Sequence, residues 1–518
     1  VTIDTIAKAH RRGMQGLEDL VPTLSNHLQQ PDLQPQLVYA LAAALIEFDA
    51  NDQAELLAQR SQENGLTIAP LVEPALARWK SPALAGEWLR RLDDPTTDRL
   101  SMLLAIDGLA ALGETEATAS LRRIVFDEYA PPNVRMSAAH AIGKLQVRDL
   151  EPEAAKLADQ GDSSPLAGLM AVAMLKQHDD DAAIEILQKL VGHENSSVQS
   201  GALGRLLAID PMLASPYAEA ALTSSDVNVR RLGAKTMIVL PREDRIASLS
   251  TLLDDVNPDL RREVAAALVH FAKQDEFHDQ VIEQSSLVLG RNQWRGCEQA
   301  AIVLVNLDHK PAGSRLVDLM SHERYEVMVT SAWGLRRLAM PEHLPEMLEQ
   351  AKSVLVGFRG GRWDANMWGP ERQIAQLFMA FGQMGYEPAD ELMREYIPKD
   401  FSLGDTSRPA AIWGLGLLHE GQAPEDLTRQ FLERLQDVAS QYPETGPVRY
   451  MSAIALGRLG SLSAVAELRE FASPFQGDVG LASYWALEQL TGEVPPRMTP
   501  QVVTLGDWFL GPAHNATD

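Results

Sequence analysis

A period near 32 residues constrains this chain more than any other feature in it. The stretch Val134-Arg-Met-Ser-Ala-Ala-His-Ala-Ile-Gly-Lys-Leu145 puts Val134, Ala138, Ala141, Ile142 and Leu145 on one stripe of an α-helix. Pro131-Pro132-Asn133 supplies a turn and an N-cap just ahead. With Val134 as anchor, the pattern asks for a small residue at +7 and a large apolar one at +8. It recurs from Leu37, Ile68, Ser101, Leu166, Val198, Val229, Leu260, Trp294, Val327, Gln373, Ser407, Val448 and Val479. The +8 residue is large and apolar in all fourteen registers, and the +7 residue is Ala or Gly in twelve, with Arg205 and Thr236 the exceptions.

Between anchors the chain has room for one further amphipathic helix, as at Asp180–Leu190, Arg242–Leu253 and Ala464–Phe471. Each period is then a helical hairpin. A hairpin of this size cannot bury its apolar face alone, so neighbours must stack. The small +7 residue lets successive second helices approach, and the large +8 residue fills the space between the two helices of a hairpin. The expected fold is an all-α, right-handed α-solenoid of about 14–15 hairpins. Capping helices are expected over 1–34 and the repeats over 35–492, with a loop insertion at 357–369. The Pro-rich tail 493–518 is expected to pack on the last repeat.

Composition narrows the partners. The net charge of −25 and pI near 4.9 disfavour nucleic acid or an anionic membrane as the main partner. No run of 18 apolar residues is present to span a membrane. The single cysteine, Cys297, excludes internal disulfides and thiolate zinc clusters, and its apolar surroundings imply a buried free thiol. The chain starts at Val1 without an initiator Met, so a processed or excised form, soluble and open to export, is expected.

The pattern Asn-x-Val-Arg-x-x-Ala-x-x-Ala-Ile-Gly-x-Leu at Asn133–Leu145, approached at Asn228–Leu240 and Pro447–Leu459, resembles HEAT-like repeats. Within them it is most similar to the short bacterial type of phycobilisome lyase-like proteins. That resemblance spans roughly Pro35–Gly492 and implies an armadillo-like helical fold while saying little of function. Val72-Glu-Pro-Ala-Leu-Ala-Arg-Trp79 also resembles a segment of large exported multi-domain bacterial proteins.

Two places break the metre. One is the 41-residue gap from Ser407 to Val448, read as a lengthened helix, Pro424–Gln441, followed by a turn at Tyr442–Pro447. The other is the 46-residue gap from Val327 to Gln373, which contains Gly357-Phe-Arg-Gly-Gly-Arg-Trp-Asp-Ala-Asn-Met-Trp-Gly369. Phe358, Arg359, Arg362, Trp363 and Trp368 are types favoured at binding hot spots, and Arg336-Arg337 is expected to form one basic spot with Arg359 and Arg362. The pairs His193-Glu194, His322-Glu323 and His419-Glu420 read as turn or helix-end residues rather than metal ligands. Arg135, Arg230, Arg261 and Arg449, each just after an anchor, read as an inter-repeat ladder of hydrogen bonds and ion pairs. No catalytic, cofactor-binding or metal-binding residue is assigned.

The expected function is a non-enzymatic scaffold that binds a protein or peptide along its concave helical surface. The lyase-like resemblance implies one alternative, an enzyme or chaperone of a tetrapyrrole-type chromophore. A second alternative is the non-catalytic repeat portion of a larger multi-domain bacterial enzyme.

Overall fold

In a computed structural model, residues 2–160, 164–361, 368–438 and 441–493 are described. Among these, every regular element is helical and no strand forms. The second helices of the hairpins are Pro35–Glu47, Ala69–Arg78, Arg99–Leu112, Pro132–Leu145, Pro165–Met174, Ser196–Ile209, Val227–Val239, Pro258–Phe271, Trp294–Asn306, Tyr325–Leu338, Trp368–Gln383, Ser407–Leu418, Gly446–Leu459 and Gly477–Thr491. Thirteen of the fourteen anchors fall inside these helices, and Ile68 is the N-cap of its own. The chain is an all-α solenoid of stacked helical hairpins. Its described residues divide into two compact units, one up to Thr236 and one from Met237 to residue 493. No described helix is long and apolar enough to cross a membrane. The tail expected to cover the last repeat lies outside the described residues from 494 on.

The +8 side chain is buried in thirteen registers, from Leu45 to Leu487, and each such burial stabilises by about 1.5–3 kcal/mol. The exception is Ile302, which is half-buried. Helix Trp294–Asn306 instead buries Gly296, Cys297, Ala300, Ala301, Val303 and Leu304, so its true anchor is Gly296 and not Trp294. A large anchor does not fit there: a Cβ on Gly296 would already lie 3.0 Å from a Val288 methyl. The exceptions at +7 have their own partners. Arg205 donates to the carbonyls of Leu175 (3.2 Å) and His178 (2.9 Å), and Thr236 to that of Leu232 (2.8 Å).

Close approach at the small positions is visible at Gly382 and Gly414. A Cβ on Gly382 would lie 2.6 Å from Gly414 Cα, and one on Gly414 would lie 2.9 Å from Phe378 O and 2.8 Å from Met393 Sδ. Met393 can swing aside, whereas the Phe378 carbonyl belongs to a helix backbone. Gly414→Val should therefore destabilise by about 1–3 kcal/mol through overpacking. Thermal melting checks this, and an unchanged midpoint would show that the two helices can part at little cost.

The arginines after the anchors each donate hydrogen bonds within their own hairpin. Arg135 donates to Val125 O (3.0 Å), Arg230 to Ser224 O (2.8 Å), Arg261 to Asp255 O (2.7 Å) and Arg449 to Leu435 O (3.0 Å). Each acceptor is at or just past the end of the preceding first helix of the same hairpin. Helix ends leave carbonyls without partners and carry partial negative charge, so a guanidinium there satisfies both.

Helix also occupies part of the expected insertion. Leu344–Arg359 runs through Gly357, and Trp368–Gln383 begins at Trp368, so the link is confined to 360–367. Gly361 follows the helix end with φ +67°, a conformation that favours glycine.

Candidate protein-binding edge

The first turns of four successive second helices in the C-terminal unit bring arginines and aromatic rings into one row. Arg324 lies over the Trp294 ring at 4.4 Å from its centroid, with Arg295 at 4.7 Å and Arg261 at 5.7 Å. Arg324 also lies 5.7 Å from the Tyr325 ring, and Tyr325 meets Trp368 edge-on at 5.0 Å and 76°. Arg372 completes the row, 4.4 Å from the Trp368 centroid. Each cation–ring contact stabilises by about 0.5–1 kcal/mol when exposed and more when desolvated.

The order of the row follows from the repeat. Helices that start at the same edge present their first turns side by side, so Arg261, Trp294, Arg324-Tyr325 and Trp368 become neighbours. Gly369 lets Trp368 sit against Tyr325, because a Cβ there would collide with Tyr325 Cβ. Arg261 is buried and tied to the carbonyls of Asp255 and Val256. Arg324 pairs with Glu326 at 2.7 Å, and that hydrogen bond holds its guanidinium above the usual value. Arg295 and Arg372 differ: among the described residues neither pairs with a carboxylate, and Trp368 is 44% exposed. A guanidinium lying over an indole keeps its N–H edge free to donate.

The residues singled out from the sequence do not all gather here. Trp368 is part of the row. Phe358 is buried in the last turn of its helix and offers no contact surface. Arg359 is exposed but forms an ion pair with Glu395 of the next hairpin. Arg362 and Trp363 lie outside the described residues. Arg336 and Arg337 occupy the last turn of Tyr325–Leu338. At about 1.5 Å per residue, they sit roughly 17 Å along the helix from Tyr325. They therefore lie at the opposite end of that helix from the Tyr325–Trp368 contact. Arg336 instead reaches Met379 Sδ at 3.2 Å, and burial, with the charge of Arg337 added, pushes its guanidinium below the usual value.

Trp294 stands where the repeat places an apolar anchor, which masks its place in the row. The usable signal was an aromatic residue beside an arginine at a helix start, repeated as Trp294-Arg295, Arg324-Tyr325 and Trp368 with Arg372.

Other candidate chemistry resolves into structural roles. His193 and His322 each accept through Nδ1 from a backbone N–H two residues on, at 2.8 and 2.9 Å, as turn residues do. His419 meets Asp390 through Nε2 at 2.6 Å. Cys297 is buried with Sγ 3.1 Å from Arg291 O, and burial pushes its thiol up. A groove of about 400 Å³ in the N-terminal unit mixes Asp93, Asp94 and Asp127 with Arg99 and Arg123. Arg123 is already bonded there to Leu92 O (2.9 Å) and Asp93 (2.8 Å).

No protein-family model matches the chain. No curated protein matches it either. Among solved structures it is similar to Kap95p, from work on how Kap95p binding affects RanGDP, at 14% identity and a TM-score of 0.58 over 91% of this chain and 72% of that one. Importin beta crystallised in a polyethylene glycol condition gives 14% identity and 0.55 over 92% and 72%. Kap95 in complex with Nup1 gives 14% and 0.51 over 91% and 72%. At such identity the likeness is one of fold: this chain is a helical-repeat solenoid of the HEAT-like kind.

Proposed function

We propose that the chain is a non-enzymatic scaffold that binds an acidic, extended segment of a protein partner along the row from Arg261 to Arg372. The observation that carries this reading is the pair Arg295 and Arg372, each lying over a tryptophan with no described carboxylate partner. Their helices are two packing steps apart. At about 8–10 Å per step, the two guanidinium groups are roughly 16–20 Å apart. An extended peptide covers that distance in about five or six residues. The preferred ligand thus carries two carboxylates at that separation, with apolar or aromatic contact to Trp294 and Trp368 between them. Support from likeness is of the same kind, since Kap95p binds RanGDP and forms a complex with Nup1. Nucleic acid does not suit a chain of net charge −25. The Asn133–Leu145 signature supports grouping the repeats with the phycobilisome lyase-like type.

The test is a set of fluorescent Gly/Ser peptides bearing two glutamates at increasing separation, titrated into the full chain. Binding should be best at about five or six residues and should weaken as salt rises. Arg295→Ala and Arg372→Ala should each weaken it about tenfold, or ~1.4 kcal/mol. Trp294→Ala with Trp368→Ala should cost about 2 kcal/mol or more. Affinity indifferent to spacing and to both arginines would sink the reading.

A further inference from the structure

A separate cluster lies in the N-terminal unit and is independent of the partner-binding reading. His178 follows helix Pro165–Met174 and precedes helix Asp181–Val191, with 0% of its side chain exposed. Its Nε2 is 3.1 Å from the carbonyl of Gln146. A carbonyl only accepts, so Nε2 carries a proton; when the ring is neutral, Nδ1 holds the lone pair. Nδ1 faces Glu151 Oε1 at 2.5 Å. The Asp180 carboxylate closes the third side, and one ligand atom from each residue lies within 4.8 Å of the other two. Ionised carboxylates only accept. With the ring neutral, these are three lone-pair groups around one gap that a metal cation can fill; with the ring protonated, Nδ1–H donates to Glu151 instead.

The backbone fixes this convergence in place. Glu151 is the first residue of helix Glu151–Gln160, and Asp180 is the N-cap of the next hairpin's first helix. Asp180 Oδ1 accepts from Ala183 N at 2.9 Å, and the same carboxylate lies within hydrogen-bond reach of Glu151. Arg205 anchors the His178 carbonyl at 2.9 Å, so the imidazole is held from behind. Burial falls from His178 through Glu151 to the exposed Asp180, which leaves an approach from solvent on the Asp180 side.

We propose that Glu151, His178 and Asp180 bind a divalent transition metal of zinc's chemistry and thereby clip together the first helices of two successive hairpins. One imidazole nitrogen with two carboxylate oxygens is a borderline donor set that suits zinc, whereas magnesium and calcium prefer oxygen alone. The Nε2–H bond to Gln146 O is the kind of outer contact that orients a metal-ligating histidine. Zinc–ligand bonds of about 2.0–2.1 Å place tetrahedral donors roughly 3.4 Å apart. The contact between Nδ1 and Glu151 must therefore widen by about 1 Å, which a side chain at a helix start can supply. The fourth position is left to water.

The experiment strips the full-length chain with chelator, dialyses it against zinc chloride, and measures bound zinc and the melting temperature. Glu151→Gln and Asp180→Asn are run beside the wild type, since both substitutions keep shape at a site that reaches solvent. The wild type should take up a single zinc ion more than either variant, with affinity reduced about 10–100-fold in each. Zinc should raise the wild-type melting temperature and leave those of the variants nearly unchanged. Equal uptake by all three proteins overturns the proposal, because the ion is then bound elsewhere on the acidic surface. So does a wild-type melting temperature that ignores zinc, which would mean that a proton shared by His178 and Glu151 fills the gap.

Discussion

Glu444→Ala lowers the unfolding free energy by about 3–5 kcal/mol, as expected for a buried charge that loses its partner. Arg408 and Glu444 face each other in two parallel hydrogen bonds of 2.8 Å, with 1% and 0% of their side chains exposed. Arg408 also donates to the carbonyls of Tyr396 (3.3 Å) and Ile397 (3.2 Å), while Glu444 accepts from Thr445 N (2.9 Å) and Arg434 (3.3 Å). Removing the carboxylate strands a buried guanidinium. The charged pair need not be superior to an apolar one, so Arg408→Met with Glu444→Leu should recover most of the loss. Denaturant unfolding of the two singles and the double checks both statements, and a double mutant no better than Glu444→Ala would contradict the desolvation account.

The same pair sets a pH dependence. Burial pushes the Glu444 carboxyl up, but the hydrogen bonds from Arg408 and Thr445 and the charges of Arg408 and Arg434 outweigh it and hold the group below its ordinary value. A depressed folded value means that the stabilisation is complete above the unfolded value, about 4.3, and disappears as pH falls through the folded one. The stability gap between wild type and Glu444→Ala should therefore narrow in acid. A gap that is constant from neutral pH to below that range would contradict the assignment.

Glu73→Ala is expected to have an effect of the same order in the N-terminal unit. Glu73 has no exposed side-chain surface and accepts from Arg91 (2.9 Å), from Trp88 Nε1 (2.8 Å) and from Ser61 (3.3 Å). Arg91 keeps a second partner in Glu87 at 3.0 Å. The loss should thus fall near the lower end of the ~3–5 kcal/mol range for a broken buried pair. Glu73→Gln separates charge from hydrogen bonding, because the amide oxygen can still accept from the indole of Trp88. It should cost less than Glu73→Ala while leaving Trp88 fluorescence closer to the wild type. Equal losses from the two variants would mean that the indole bond contributes little.

Most of the fold was legible because it is repetitive. A small residue at +7 and a large one at +8 report local packing needs that recur each time one hairpin meets the next. The register failed at Trp294, where a large apolar residue at the expected place mimicked an anchor while Gly296 made the close contact. The candidate binding row was less legible. Trp368 stands out by its unusual segment and Arg372 lies one turn on in the same helix, but Trp294, Arg295, Arg324 and Tyr325 are brought beside them only by stacking across repeats. Phe358, picked for its type, points inward because its helix continues through Gly357 instead of ending there.

The 41-residue gap shows the same division. Its Tyr442–Pro447 stretch reads as a turn, and nothing local marks Glu444 as buried. The structure returns that turn to Arg408, 36 positions earlier, and makes it a core ion pair. His178 and Glu151, 27 positions apart, meet for a related reason. What the sequence determined by itself was the helical period, the hairpin as its unit and the stripe each second helix buries, since these depend on neighbours a few residues away. Only the tertiary structure decided which polar side chains share a site. Those pairings join residues roughly one repeat apart, and the direction of a side chain at a helix end depends on how its neighbours pack.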